Sequence, residues 1–163
     1  GDGSFRDALG TLQKVLNFSV DTKGKKVNKI NRAYVEKITD APKTVLVNDF
    51  ISAIAEKNLE NGIMTVRKAA AENLDMKLYS KLIIEKFRMA VILKYAPKLE
   101  KEMVGDLGEE DLEFLKGLVK NDKEGLLRSK ALSVLLEAYS DIDRAFVSEL
   151  PLELALVKIL SKE

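Results

Sequence analysis

The residue run with the most obvious chemistry opens the chain: Gly1-Asp2-Gly3-Ser4-Phe5-Arg6-Asp7-Ala8-Leu9. It leads into an apolar-periodic helix and places Arg6 in the first turn, where backbone N–H groups point outward and favour anions. Arginine adds a fixed cation and a planar five-donor fork that suits phosphate. Ser4 and Arg6 are therefore candidate nucleotide-binding residues. An ordinary ion-paired surface arginine is the alternative interpretation of Arg6.

The rest of the composition excludes several kinds of chemistry. The 163 residues include no histidine and no cysteine, so zinc sites built from those residues and Ser-His or Cys-His nucleophile pairs are impossible. No Gly-x-x-x-x-Gly-Lys-Ser/Thr phosphate loop is present. The acidic run Glu109-Glu110-Asp111 has no base or metal motif beside it and is typical of a helix start. We predict no catalytic site, no metal site and no bound cofactor in this chain.

The same composition predicts a cytoplasmic all-α protein. Apolar residues make up 46% and charged residues 33%, while 9 glycines and 3 prolines are few for a sheet protein with many turns. The net charge of +1 favours neither nucleic acid nor a membrane surface. The longest apolar run, Met89–Leu93, is far too short to span a bilayer, and the first residues contain no signal-like apolar segment.

Hydrophobic periodicity and helix-breaking residues predict the elements that carry these side chains. Asp75 is a candidate N-cap for the longest helix, which ends before Pro97 and is apolar nearly all round in its second half, so we expect it to form the axis of the core. The predicted helices cover approximately residues 4–16, 27–38, 44–56, 59–72, 75–95, 109–120, 129–146 and 151–162.

The last predicted helix carries more apolar surface than one core-facing stripe needs. Pro151 is expected at its first position, where the missing N–H costs nothing. Leu152, Leu156 and Ile159 share one stripe, and Leu154 and Val157 point elsewhere. Because apolar terminal helices often hide such a face against a partner, this helix is a candidate oligomer interface. Its candidate interface residues are Leu152, Leu154, Leu156, Val157 and Leu160.

Three segments of the sequence resemble one protein family. The run Gly3-Ser4-Phe5-Arg6-Asp7-Ala8 resembles the sensor-2 motif of the gamma/tau subunit of the bacterial DNA polymerase III clamp loader, an AAA+ ATPase. The middle of the chain, from Val47 to Asp75 and from Phe87 to Lys94, resembles the family's collar domain. The closing run, residues 150–158, resembles its last collar helix.

The resemblance implies a fold, a function and partners. Residues 1–42 would be the last part of the AAA+ lid, and residues 43–163 a helical-bundle collar that holds the ATPase modules together. Arg6 would reach the gamma-phosphate of ATP bound, with magnesium, elsewhere in the parent protein. The implied partners are other gamma/tau copies and the delta and delta-prime subunits, with the sliding clamp and primed DNA reached through the parent. The implied role is ATP-dependent loading of the clamp during DNA replication.

Other features of the family lie outside this sequence, and two alternatives stay open. The phosphate loop, the Asp-Glu pair that holds magnesium, the zinc-ligand cysteines and the arginine finger all lie upstream in the family, so we expect a fragment without ATPase activity of its own. One alternative is the corresponding part of an archaeal or eukaryotic-type clamp-loader small subunit. The other is a free-standing helical adaptor.

Overall fold

The helices begin and end largely where capping and breaking residues stand in the sequence. A computed structural model describes residues 44–100, 102–103 and 108–161. These residues form six α-helices of eleven residues or more, with no β-strand among them, which confirms the all-α prediction. The α-helices are α1 (Thr44–Ala55), α2 (Leu59–Ala71), α3 (Met76–Tyr95), α4 (Glu109–Asn121), α5 (Ser129–Asp141) and α6 (Leu150–Leu160). Two short 3₁₀ segments are Pro97–Leu99 and Ile142–Arg144.

Side-chain caps set the starts of two helices. The Asp75 carboxylate accepts the backbone N–H of Leu78 at 2.9 Å, which confirms the predicted N-cap of α3. In the connection between α1 and α2, the Asn58 side chain accepts the N–H of Asn61 at 3.0 Å. Each cap satisfies a backbone donor that has no partner within its helix.

The centre of the bundle is shared by α1 and α3. Helix α3 contacts α1, α4 and α5, as expected for a helix that is apolar nearly all round. Helix α1 is more enclosed, because seven of its twelve residues are buried and it contacts α2, α3, α4 and α6. The Tyr79 hydroxyl of α3 donates to the Leu46 carbonyl of α1 at 2.9 Å, and its ring meets Phe50 edge-on. Burial raises the pKa of Tyr79 above its usual range, and the nearby Asp49 carboxylate adds to the shift.

The connection between α4 and α5 is held by a buried carboxylate. The side chain of Asp122 is 0% exposed and accepts a hydrogen bond from the Lys94 ammonium of α3 at 2.7 Å. It also accepts the backbone N–H groups of Leu126 and Leu127, at 2.7 and 3.0 Å. A buried charge is tolerated when it is paired and hydrogen-bonded in this way. This Asp122 clasp therefore fixes the path of the chain into α5.

Two predicted helix limits are wrong. Helix α5 ends at Asp141 and not at Phe146, and a 3₁₀ segment follows. The Lys77 ammonium of α3 donates hydrogen bonds to the Tyr139 carbonyl at 2.7 Å and to the Asp143 carboxylate at 2.6 Å. A backbone carbonyl in the last turn of α5 therefore has a partner from another helix. Helix α6 begins at Leu150, so Pro151 occupies the second helical position rather than the first.

The described residues belong to one compact unit that begins at Thr44. The predicted lid part, residues 1–42, lies outside the described residues. None of the helices within the described ranges is long and apolar enough to cross a membrane.

Candidate functional site: the outer face of the last helix

Helix α6 is the most apolar surface element of the bundle. Nine of its eleven residues are apolar, and only Glu153 and Lys158 are charged. It packs against α2 and α5 and also touches α1. These neighbours do not cover all of its apolar side chains, because Leu150, Leu154 and Val157 stay exposed.

The inner face of α6 belongs to the core of this chain. Leu152, Leu156 and Leu160 are all buried there, so three of the five candidate interface residues are already covered within the bundle. Close packing depends on Gly62 of α2, because a Cβ at that position would lie 3.0 Å from a methyl group of Leu156. These three leucines hold α6 in place rather than offering a surface to a partner.

The outer face of α6 carries the other two candidates. Leu154 is 52% and Val157 40% exposed, and Leu150, at 41%, lies one turn before Leu154. Spacings of four and three residues put these side chains on one face of the helix. Just before the helix, Phe146 is fully exposed and Val147 is 41% exposed. We call Phe146, Val147, Leu150, Leu154 and Val157 the outer apolar surface.

Two ion pairs border the helical part of this surface. Glu153 accepts the Arg67 guanidinium of α2 at 2.9 Å, and the Lys158 ammonium lies 3.5 Å from Glu137 of α5. Glu153 and Lys158 are about 140° apart around the helix at 3.6 residues per turn, so they mark opposite edges of the exposed face. An apolar centre with a charged border is the anatomy of a protein–protein interface.

Three members of the outer apolar surface were not among the candidates from the sequence. Phe146 was missed because the predicted helix 129–146 included it, whereas α5 stops at Asp141. Val147 lies between the predicted helices 129–146 and 151–162 and had no periodic pattern to identify it. Leu150 stands four residues before Leu154, and this spacing is the signal that could have identified it.

The remaining predicted sites bring no further residues to this face. Ser4 and Arg6 lie outside the described residues, so their nucleotide role stays a prediction. Asp111, in the acidic run at the start of α4, forms an ion pair with Lys86 of α3 at 2.8 Å. Over the ranges that the structure describes, no cluster of His, Cys, Asp or Glu has the arrangement of a metal site.

No protein-family model, no curated protein and no solved structure gives a significant match to the chain.

Proposed function

We propose that this chain is an assembly module and that the outer apolar surface of α6 packs against another protein chain. The observation that carries the proposal is the set of five exposed apolar side chains between Phe146 and Val157, of which the three on α6 are bordered by the ion pairs of Glu153 and Lys158. A contiguous apolar patch with a polar border marks an interaction site more often than do scattered exposed residues. Burial against a partner would remove this surface from water at about 25 cal/mol per Å².

The specific assembly that we propose is the collar of a bacterial clamp loader. The gamma/tau-like motif at residues 3–8 and the resemblance of residues 150–158 to the last collar helix support this choice. In this proposal the partners are gamma/tau copies and the delta and delta-prime subunits. The parent protein binds ATP and magnesium, and the collar holds its ATPase modules together during clamp loading onto primed DNA. Arg6 would couple the gamma-phosphate to the lid.

The experiment is reconstitution of the full 163-residue chain with delta and delta-prime subunits from the same organism, followed by size-exclusion chromatography with light scattering. We expect one complex that contains all three proteins. Leu154→Glu combined with Val157→Glu should abolish it, because both carboxylates would be buried in the contact. The matched control is Met64→Glu with Leu136→Glu, which changes two apolar side chains exposed on α2 and α5.

Different outcomes test the contact surface, the clamp-loader assignment and the role of Arg6 separately. Equal loss of assembly in both double variants would refute the outer apolar surface as the contact. Self-association that depends on this surface, without binding of delta or delta-prime, would keep the assembly role and refute the clamp-loader assignment. In the parent protein, Arg6→Ala should abolish ATP-dependent clamp loading but leave assembly intact, and normal loading by this variant would refute the sensor role.

A further inference from the structure

A concave cavity of about 240 Å³ lies at the end of α6, where that helix meets two connections of the bundle. We call the apolar part of its lining the floor, and this part includes Leu126, Val134 and Ile159. Charged side chains form the wall: Lys57 from the connection between α1 and α2, with Glu124, Arg128, Lys130 and Lys158. A volume of this size accommodates one or two side chains rather than a length of polymer.

The wall of this cavity concentrates positive charge. Four cationic side chains and one carboxylate line it, for a net charge of +3, although the whole chain carries only +1. The four cations are Lys57, Arg128, Lys130 and Lys158, and the carboxylate is Glu124. We call this cavity and its wall the basic pocket.

The cations differ in how much of their charge is already compensated. Lys57 pairs with Glu124 at 2.9 Å, and Lys158 lies 3.5 Å from Glu137. Arg128 and Lys130 are exposed, and neither side chain forms a hydrogen bond or ion pair within the part of the chain that the structure describes. Their charges are therefore available to an anionic partner.

The Asp122 clasp fixes the backbone of the segment that carries Arg128. Asp122 binds the N–H groups of Leu126 and Leu127, the two residues directly before Arg128. Leu126 is itself part of the floor and is buried. The backbone that carries Arg128 is thus held in place before any ligand arrives, which lowers the entropic cost of binding.

We propose that the basic pocket binds a peptide segment of a partner protein in which an aliphatic side chain lies between carboxylates. The aliphatic side chain would contact the floor, and the carboxylates would pair with Arg128 and Lys130, where arginine can bind a carboxylate through two parallel N–H bonds. Nucleic acid is the less favoured ligand, because single-stranded nucleic acid binds along extended grooves with aromatic side chains for base stacking. The pocket is compact, and no aromatic residue lines it. This proposal does not rest on the outer apolar surface.

The test is titration of the full ¹⁵N-labelled chain with the peptide acetyl-Asp-Leu-Glu-Asp-Leu-Glu-amide, followed by chemical-shift mapping and calorimetry. We expect the largest shifts at residues 126–131 and 158–161. Arg128→Glu with Lys130→Glu should weaken the affinity about tenfold or more, because charge pairs in the contact become repulsive. The matched control, Arg88→Glu with Arg144→Glu, makes the same charge change at exposed residues outside the pocket and should bind normally.

Further arms keep the proposal falsifiable. Replacement of both peptide leucines by serine should weaken binding about tenfold or more, because the aliphatic contact with the floor is lost. If the double charge reversal unfolds, the neutral pair Arg128→Gln and Lys130→Gln replaces it. Unchanged affinity in the pocket variants overturns the proposal, as does equal binding of the serine peptide. Tighter, pocket-dependent binding of single-stranded oligothymidylate would also overturn it, in favour of a nucleic-acid site.

Discussion

Asp122→Asn should destabilise the bundle far more than an isosteric change usually does. One carboxylate oxygen of Asp122 accepts the Leu126 N–H, and the other accepts both the Leu127 N–H and the Lys94 ammonium. In asparagine one of these oxygens becomes an NH₂ donor. That donor would face either the Leu126 N–H, or the Leu127 N–H together with the Lys94 ammonium, so at least one buried N–H loses its acceptor. In either orientation Lys94 loses its negatively charged partner.

The structure sets the size of the effect. An unsatisfied buried N–H costs about 1–3 kcal/mol. The Lys94 side chain is 21% exposed and can turn partly toward water, so its loss stays below the roughly 3–5 kcal/mol of a fully buried broken pair. Together these terms predict a fall of about 2–4 kcal/mol in the free energy of unfolding. For a domain of this size, that lowers Tm by about 5–15 °C.

The assay is urea denaturation of the full chain, followed by far-ultraviolet circular dichroism. The matched control is Asp143→Asn, because Asp143 also pairs with a lysine, Lys77, but its side chain is 68% exposed. Exposed pairs contribute only about 0–1 kcal/mol, so the control should unfold near the wild-type midpoint. If Asp122→Asn costs no more than Asp143→Asn, the Asp122 clasp does not hold the connection as described.

Two further predictions concern packing and pH. Gly117→Ala should raise the free energy of unfolding by about 0.5–1 kcal/mol, since a Cβ there meets nothing within 4 Å. Gly62→Ala should lower the free energy of unfolding, because overpacking against Leu156 costs about 1–3 kcal/mol. If urea denaturation shows that both variants raise or both lower the free energy of unfolding, the packing described here is contradicted. The raised pKa of Tyr79 keeps its hydroxyl neutral in the folded state, so the unfolded chain loses that proton first and stability should fall as the pH rises above about 10. Tyr79→Phe should flatten this fall relative to the control Tyr95→Phe, and parallel pH profiles for the two variants would refute the assignment.

Helix positions were largely predictable because local signals determine them. The Asp75 cap and the breaking residue Pro97 bracket α3 in the sequence as in the structure. On α4, Leu112, Leu115 and Leu118 recur every three residues, and all three are buried. Such features depend on residues within a few positions of each other, which a pattern can show.

Features that depend on distant residues were not predictable. The last turn of α5 is bound by Lys77, which stands 62 positions before Tyr139 in the chain, and no local pattern predicts that contact. The basic pocket joins Lys57 to Arg128 and Lys158, and no local pattern shows that three distant cations will line one cavity.

The exposed side of α6 was predictable from the sequence, but the full extent of its buried side was not. Periodicity separated Leu154 and Val157 from the core stripe, and both are exposed. It could not show that Leu160 would be buried by neighbouring helices, because the number of sides on which α6 is covered depends on the packing of α2 and α5.

The most direct test of the assembly role uses the absence of cysteine from the sequence. Leu154→Cys and Met64→Cys each introduce a single thiol, on the outer apolar surface and on the exposed side of α2. The measurement is the rate of maleimide modification of each variant, alone and after reconstitution with delta and delta-prime. A strong slowing at position 154 with an unchanged rate at position 64 is the predicted result. Equal rates at position 154 in the free and assembled protein would contradict the central claim.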